Sequence, residues 1–227
     1  LPAHLNRMRR GAKILKIKLP HSNIQTAIII RQLLKANRLS DALVKIMVTR
    51  GVASRIGLSP KLVQGRPTFC IFTWPIDPAF SHKKSFQVAV GSIPRNKTPI
   101  SGLKSLNYLS HVIAKMEADR AGADEAIFVD SDGYVLEGTI SNIVIVNNKK
   151  LITPPLSLGI LDGTTRRRVL TQARRLGFPV SERPFKVSDL LRADEAFLTF
   201  SSAGIMPIRT VGGRKIGKRW PGAVTEE

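Results

Sequence analysis

The sequence predicts an α/β fold, because segments with helical periodicity alternate with short strand-like segments along most of the chain. Residues 3–15 place apolar side chains near helical spacing, as an amphipathic surface helix does. Residues 43–49 alternate enough for a strand, and residues 143–146 form a β-branched run. Together these patterns indicate a protein built from both kinds of element.

The other elements are predicted from the same patterns, together with turn and cap signals. Ser22 or Asn23 can cap the second helix, and Gly122 is a stop signal for the third. The polar, turn-like stretch 77–84 is a candidate connector between domains. Further helices are predicted at 23–36, 106–120 and about 166–176, with a helical turn at 187–192. Further strands are predicted at 68–76, 86–90, 125–130, 134–136, 151–153, 195–200 and 205–211, with a short one inside 178–185.

Length and composition place the chain among ordinary globular proteins. Its 227 residues allow one large domain or two small ones, and 43% of them are hydrophobic. The sequence shows neither a signal-peptide pattern nor an apolar run near the ~20 residues of a membrane helix. Its single cysteine, Cys70, cannot form an internal disulfide and fits a reducing compartment, so we expect a cytoplasmic protein.

The formal net charge of +20 raises the question of a nucleic-acid partner. Basic side chains can instead form a solvated surface that attracts anionic substrates. They are scattered along the chain in short groups that lack interleaved aromatic residues, which disfavours a nucleic-acid function. The groups are Arg9-Arg10, Lys83-Lys84, Lys149-Lys150, Arg166 to Arg168, Arg174-Arg175 and Lys218-Arg219.

The stretch from Tyr134 to Arg168 carries the clearest chemical signal. Glu137 stands at the end of a strand-like run, and Asp162-Gly163-Thr164-Thr165 opens a basic helix. Hydroxyls and a glycine at a helix start suit phosphate, since free N–H groups and the helix dipole favour an anion there. With Lys104 upstream, these features match pyridoxal phosphate, which needs a lysine, a carboxylate for the pyridinium nitrogen and a phosphate cup.

Several motifs together make the chain resemble the class IV (fold type IV) aminotransferases. This family includes branched-chain aminotransferases, D-amino acid aminotransferases and aminodeoxychorismate lyases. The motifs are HLNRM near the start, VTRG at 48–51, LKSLNYL at 103–109, GADEAIFVD at 122–130, EGTISN at 137–142, LDGTTR at 161–166, ADEAFLTFSSAGIMPI at 193–208 and the Gly-Gly turn at 212–213. Their order over about 200 residues is more specific than any one of them.

The resemblance implies an α/β fold in two domains joined near residues 77–85, with pyridoxal 5'-phosphate between them and the site at a homodimer interface. Residues 1–80 are then a smaller N-terminal domain, and residues 81–227 a larger one that carries the Schiff-base lysine. The family ordinarily extends further at both ends, so we expect the chain to be a fragment. Val144, Thr164 and Gly204 depart from the usual family residues, and Gly204 weakens a simple branched-chain assignment.

The resemblance also implies roles for individual residues. Lys104 is the catalytic lysine that bonds the cofactor, Glu137 partners its pyridinium nitrogen, and Tyr108 is a weaker candidate for its phenolate. Arg50 of the TRG motif faces the substrate side. The phosphate is held by Arg7, Thr164, Thr165, Ser201 and Ser202.

Each of these residues also has a plainer interpretation. Arg7 and Arg50 can be surface arginines, and Lys104 is one of 36 basic residues. Tyr108 can be a core residue, Glu137 a solvated strand end, and the serines a polar turn. The sequence predicts that Lys104 stands at a helix start, where the positive dipole end disfavours its charged form.

Two enzyme functions and one binding function remain open at this point. The first is transamination between an amino acid, of branched-chain or D-amino acid type, and a 2-oxo acid. The second is release of pyruvate and 4-aminobenzoate from aminodeoxychorismate. The third is an inactive basic binding protein, which would bind nucleic acid in a salt-sensitive manner.

Overall fold

A computed structural model describes residues 1–76 and 83–227. The chain separates into two compact units, Leu1–Pro78 and Ala79–Glu227. Most of the predicted connector at 77–84 lies outside the described residues. Among those that are described, no helix is long and apolar enough to span a bilayer.

The first unit combines two helices with a β-hairpin. Helix α1 spans Pro2–Ile14, and helix α2 spans Asn23–Ala36. Strands β1 (Ala42–Val48) and β2 (Phe69–Pro75) pair in antiparallel fashion. All four lie close to the segments predicted from the sequence.

The start of α2 shows how local sequence sets an element boundary. The Ser22 hydroxyl accepts a hydrogen bond from the Gln25 backbone N–H at 3.1 Å. In return, the Gln25 side-chain oxygen accepts one from the Ser22 N–H at 2.8 Å. This reciprocal capping box satisfies two N–H groups that the helix leaves unpaired. It confirms Ser22, rather than Asn23, as the cap.

The second unit is a mixed sheet with helices packed against it. Its helices are α3 (Leu109–Arg120), α4 (Thr164–Arg175), α5 (Val187–Leu191) and α6 (Ala223–Glu226). Its strands are β3 (Phe86–Val90), β4 (Glu125–Val129), β5 (Val135–Gly138), β6 (Asn142–Asn147), β7 (Lys150–Thr153), β8 (Val180–Glu182), β9 (Glu195–Phe200), β10 (Gly204–Val211) and β11 (Arg214–Lys215).

The sheet curls so that strands far apart in the pairing order come together. Its described strands follow the order β5-β4-β3-β10-β9-β6-β7-β8, with β11 on β10. β5 and β6 are nevertheless in contact, since the Asn142 amide donates a hydrogen bond to Glu137. The main core lies inside the curl and draws on most of these strands. Its members include Phe86, Val88, Ile127, Val135, Ile143, Ile145, Leu198 and Ile208.

Two helices cover the outer face of the curl. Helix α3 packs Ala114 and Ala118 against a second cluster that includes Phe128 and Leu136. Helix α4 packs Ala173 against a third cluster on β6, β7 and β9. Small side chains on α3 let its backbone approach the sheet closely. The cavity described below lies beside the N-terminal end of α3.

Two details of α3 differ from the sequence-based expectation. The helix begins at Leu109 rather than 106, and residues 103–108 have irregular backbone instead of a helical turn. Its most apolar stripe (Leu109, Val112, Ile113 and Met116) is exposed in this chain, whereas the alanines are buried. The predicted stop is confirmed, because Gly122 adopts φ +68° directly after the helix.

Candidate active site

A cavity of about 260 Å³ lies within the second unit, next to the turn that precedes α3. Lys104 and Tyr108 line it on the side of that turn, and Glu137 and Asn142 line it on the side of the sheet. Arg95, from the loop after β3, lines it as well. The fold therefore brings together a lysine, a tyrosine and a carboxylate that the sequence analysis singled out separately.

Glu137 is buried near the end of β5, with 6% of its surface exposed. Its carboxylate accepts hydrogen bonds from Arg95 Nη2 at 2.6 Å, the Leu161 N–H at 2.9 Å and Asn142 Nδ2 at 3.0 Å. Burial raises the pKa of Glu137, while the charge and hydrogen bond of Arg95, the Leu161 N–H and the Lys104 charge oppose the rise. The alternative of a solvated strand-end glutamate is wrong.

Arg95 is a site residue that the sequence analysis missed. Its guanidinium forms the ion pair with Glu137 and lies 4.8 Å from the centre of the Phe128 ring. Its backbone N–H donates to the Val129 carbonyl at 2.8 Å, which ties the loop to β4. Arg95 and Glu137 are 42 positions apart, and no local pattern in the sequence links them.

Lys104 lies in the turn before α3, five residues ahead of the first helical residue, Leu109. Lys104 therefore does not stand at a helix start, and the predicted effect of the helix dipole on its charge is wrong. The Lys104 ammonium donates instead to the Tyr108 hydroxyl at 3.1 Å. Gly102, two residues earlier, adopts φ +80°, and a side chain there would meet the Ile160 carbonyl at 3.1 Å. This close approach sets the course of the backbone that presents Lys104.

His111, in the first turn of α3, is a second residue that the sequence analysis missed. Its half-buried ring lies 5.2 Å from the Tyr108 ring and 5.1 Å from the Phe128 ring, measured between centroids. Burial lowers the pKa of His111, and the charges of Arg95 and Lys104 lower it further. A lowered pKa favours the neutral imidazole, which lies between the Tyr108 and Phe128 rings at the cavity.

The predicted phosphate residues of the second unit gather at the start of α4. Thr164 is buried in the first turn, and the Thr165 hydroxyl donates to the Phe200 carbonyl at 2.9 Å. That contact joins the helix start to the β9–β10 turn, which carries the exposed Ser201 and Ser202. The sequence placed these two segments about 35 residues apart, and the fold makes them neighbours.

Two further observations at this place fit an anion. Gly163 is the N-cap residue of α4, and a side chain there would come within 1.9 Å of Asn142 Oδ1. The position therefore requires glycine, and no side chain covers the backbone at the helix start. Thr199 lies opposite Asn142 on the neighbouring strand. Its buried hydroxyl has no hydrogen-bond partner among the described residues. The helix start thus places backbone N–H groups beside the unpaired Thr199 hydroxyl.

Arg7 and Arg50 belong to the first unit. Arg7 lies on α1 and is partly buried. The Arg50 guanidinium donates to the Leu15 carbonyl at 2.6 Å and to the Lys16 carbonyl at 3.3 Å. Arg50 is partly exposed and tied to the loop after α1, and its role on the substrate side stays a prediction.

The residues of the second unit fit pyridoxal phosphate. Lys104 supplies an amine, Tyr108 a hydroxyl, and Glu137 a buried carboxylate that can partner a protonated ring nitrogen. The start of α4 supplies donors for a phosphate. A lysine, a buried carboxylate and a helix start with a glycine cap in one unit are the donor set that this cofactor requires.

Comparison with known proteins gives a consistent result. A family model described as amino-transferase class IV matches residues 1–211. A Pseudomonas aeruginosa branched-chain-amino-acid aminotransferase is 32% identical over 100% of this chain and 75% of its own length. A Bacillus licheniformis D-alanine aminotransferase is 31% identical over 100% and 78%. A Bacillus subtilis aminodeoxychorismate lyase is 32% identical over 92% and 71%.

The fold comparison agrees with the sequence comparison. The branched-chain amino acid aminotransferase from Thermobaculum terrenum, solved in its PLP form, superposes with a TM-score of 0.85. It is 26% identical and covers 99% of this chain and 74% of that one. The match to the family model and the shared fold identify the chain as a member of the class IV aminotransferases, a family of enzymes that depend on pyridoxal phosphate.

Proposed function

We propose that this enzyme moves an amino group between an amino acid of branched-chain or D-amino acid type and a 2-oxo acid. The observation that carries the proposal is the cavity in which Lys104, Tyr108 and the buried Glu137 meet. The relatives with these substrates in their names support the choice of substrate class.

Each described side chain has a proposed part in the reaction. When bound, pyridoxal phosphate supplies an electrophilic carbon and a ring that withdraws electrons from the substrate Cα–H bond. Lys104 Nζ takes the Cα proton as general base and returns a proton as general acid. The hydrogen bond to the Tyr108 hydroxyl positions that amine. Deprotonated Glu137 would accept a hydrogen bond from the protonated ring nitrogen of the bound cofactor.

Arg95 and Asn142 keep Glu137 able to do this. Burial raises the pKa of Glu137 and therefore favours its neutral form, which accepts such a bond less well. The Arg95 guanidinium at 2.6 Å and the Asn142 amide at 3.0 Å stabilise the charged form. We propose that these two residues hold the carboxylate deprotonated and aimed into the cavity.

The phosphate is assigned to the start of α4 and the β9–β10 turn. Thr164, Thr165, Ser201 and Ser202 supply hydroxyls there, and the first turn of α4 supplies backbone N–H groups. The family resemblance alone extends this set to Arg7 for phosphate. It also assigns Arg50 to the substrate.

The test is trapping of the cofactor on Lys104. Purified protein incubated with pyridoxal phosphate is expected to show a visible absorption band, and borohydride is expected to fix the cofactor covalently on Lys104, as read by peptide mapping. Lys104→Ala is expected to lose the band and turnover. Full turnover by Lys104→Ala, or no band in the wild type with excess cofactor, would contradict the proposal.

A second candidate is release of pyruvate and 4-aminobenzoate from aminodeoxychorismate, which the similarity to the Bacillus subtilis lyase favours. Lys104 would again move the proton, but no amino acceptor would be needed. Turnover with and without an added 2-oxo acid separates the two. Dependence on the 2-oxo acid supports the aminotransferase, and pyruvate release without it supports the lyase.

A homodimer is proposed on the resemblance and on the exposed apolar stripe of α3. Leu109, Val112, Ile113 and Met116 leave between 36% and 75% of their surface uncovered in this chain. An apolar stripe of this kind on a helix usually packs against another protein surface. Light scattering at micromolar concentration is expected to give twice the chain mass.

We propose that the basic residues form a solvated surface and do not bind nucleic acid. We also propose that the protein is cytoplasmic. Several arginines pair with neighbouring carboxylates on the surface, among them Arg174 with Glu182 and Arg192 with Asp189. A single cysteine fits a reducing compartment. Binding of duplex DNA at physiological salt, with an affinity that falls steeply at higher salt, would contradict the proposal for the basic residues.

A further inference from the structure

Glu125, the first residue of β4, is a buried carboxylate of the GADEAIFVD motif that does not line the 260 Å³ cavity and has no part in the proposed reaction. It exposes 2% of its surface and lies beneath the turn that follows Glu137. An unpaired carboxylate at such a place would be expensive, because burial removes its hydration. Its hydrogen bonds therefore indicate what it stabilises.

The described donors to Glu125 come from its neighbour Ala126 and from the turn formed by Thr139, Ile140 and Ser141. Oε1 accepts from the Thr139 hydroxyl at 2.5 Å and from the Thr139 N–H at 3.2 Å. Oε2 accepts from the Ser141 hydroxyl at 3.2 Å and, more weakly, from the Ile140 N–H at 3.4 Å. The Ala126 N–H donates at 2.9 Å. A single carboxylate thus binds every residue of the turn.

The turn matters because it joins the two strands that build the cavity. It follows β5, which carries Glu137, and precedes β6, which begins with Asn142. Its residues line the same cavity as Lys104. The position of the turn therefore sets where the Asn142 amide stands relative to Glu137, a hydrogen bond of 3.0 Å.

Gly138 shows that the turn has little freedom to move. A side chain at this position would meet Ser141 Oγ at 2.1 Å and Glu125 Oε2 at 3.1 Å. Its N–H also donates to the Ser141 carbonyl at 2.8 Å. Backbone, hydroxyl and carboxylate are therefore in close contact, and a change at Glu125 is transmitted to the turn.

We infer that Glu125 is a positioning residue of this enzyme: it anchors the turn 139–141 and thereby holds Asn142 against Glu137. It touches neither substrate nor cofactor in this role. The inference rests on the proposed function, since its consequence is a correctly placed Glu137. A displacement of about 1 Å at such a group can cost roughly a hundredfold in rate.

The experiment compares Glu125→Gln with Glu117→Gln. Glu117, on α3, accepts hydrogen bonds from the Ser92 N–H at 3.0 Å and the Ser92 hydroxyl at 2.5 Å, so it is also a carboxylate that anchors a loop. Neither Glu117 nor Ser92 is among the residues that line the 260 Å³ cavity. Glu117→Gln therefore shows how much turnover changes when a carboxylate that anchors a loop outside the cavity is lost.

The readouts are turnover per bound cofactor, KM, and the pH midpoint of the visible cofactor band. Glu125→Gln is expected to lower kcat by about tenfold to a hundredfold, with KM changed less than about threefold, and to shift the band midpoint. Glu117→Gln is expected to stay within about twofold. Normalising to bound cofactor matters, because simple unfolding lowers cofactor content without changing turnover per bound cofactor.

Milder variants cover the case in which Glu125→Gln does not fold. Thr139→Val and Ser141→Ala each remove one hydroxyl donor and leave the carboxylate in place. Both are expected to move kcat and the band midpoint in the same direction, by less. The inference is wrong if Glu125→Gln folds and has the kcat and band midpoint of the wild type. It is also wrong if Glu125→Gln does not fold and both milder variants have the kcat and band midpoint of the wild type. An inactive wild type without a cofactor band would instead overturn the proposed function.

Discussion

Removal of the Arg95 charge tests the arrangement around Glu137 most directly. In Arg95→Met a similar length of side chain remains over Phe128, but Glu137 loses its ion pair at 2.6 Å. The Arg95 side chain is 21% exposed and the Glu137 side chain 8%, so the pair is largely shielded from water. Breaking a fully buried pair costs about 3–5 kcal/mol. Because Asn142 and Leu161 still donate to Glu137, we expect about 2–3 kcal/mol here.

The cost is expected to depend on pH in a direction that follows from the pKa of Glu137. Burial already raises that pKa above its ordinary value, and loss of Arg95 raises it further. At pH values just above the ordinary pKa, Glu137 keeps its proton in the folded state, whereas in the unfolded state it has released it. Stability therefore falls as pH rises from the ordinary value of 4.5 towards the folded-state pKa. The cost should be larger at pH 8 than at pH 5.

The assay is urea unfolding followed by Trp220 fluorescence in a Trp74→Phe background. The protein has two tryptophans, and Trp220 belongs to the second unit, as Arg95 does. Lys115→Met, which breaks an exposed pair with Asp119 on α3, is the control and is expected to cost about 0.5 kcal/mol or less. If Arg95→Met were as stable as Lys115→Met at pH 8, the account of Glu137 as a buried, Arg95-dependent carboxylate would be refuted.

Two further predictions concern His111 and Gly102. NMR titration is expected to place the His111 midpoint below the ordinary imidazole value of 6.5, and Arg95→Met is expected to raise it. As pH falls through 6.5, the unfolded state binds a proton before the folded state does, so His111 reduces stability in that range and His111→Phe should remove this slope. An unshifted midpoint would contradict the burial of His111 near the charges of Arg95 and Lys104. Gly102→Ala is expected to cost about 1–2 kcal/mol, because φ +80° is strained for alanine and the added carbon meets the Ile160 carbonyl at 3.1 Å. Gly133→Ala, with φ +79° and open space, isolates the backbone strain, and an equal cost in both variants would show that the Ile160 contact contributes nothing.

Local features of the fold could be predicted because their causes lie within a few residues. The Ser22–Gln25 capping box and the Gly122 stop depend on side chains and dihedral angles next to each other in sequence. The start of α3 could not be predicted in this way. Residues 103–108 have helix-compatible side chains but an irregular backbone, and Gly102 before them adopts φ +80° close to the Ile160 carbonyl.

The candidate site was predicted in part, and the missing part has a common cause. Lys104 and Glu137 stand in motifs that can be read locally. Arg95 and Glu125 act on residues 42 and 14–16 positions away, across strands whose order the sequence does not state. A buried carboxylate such as Glu125 also looks, in sequence, like any charged residue at the edge of a strand.

The sequence by itself therefore determined the element types, the family and the chemical groups that the reaction needs, because these depend on residue identity and short-range spacing. Only the tertiary structure decided which groups meet. The curl of the sheet brings β5 back to β6, places Arg95 on Glu137, and sets the start of α4 beside the β9–β10 turn. The physical reason is that burial and hydrogen-bond partners, which set the charge of Glu137 and His111, come from strands and loops distant in the chain.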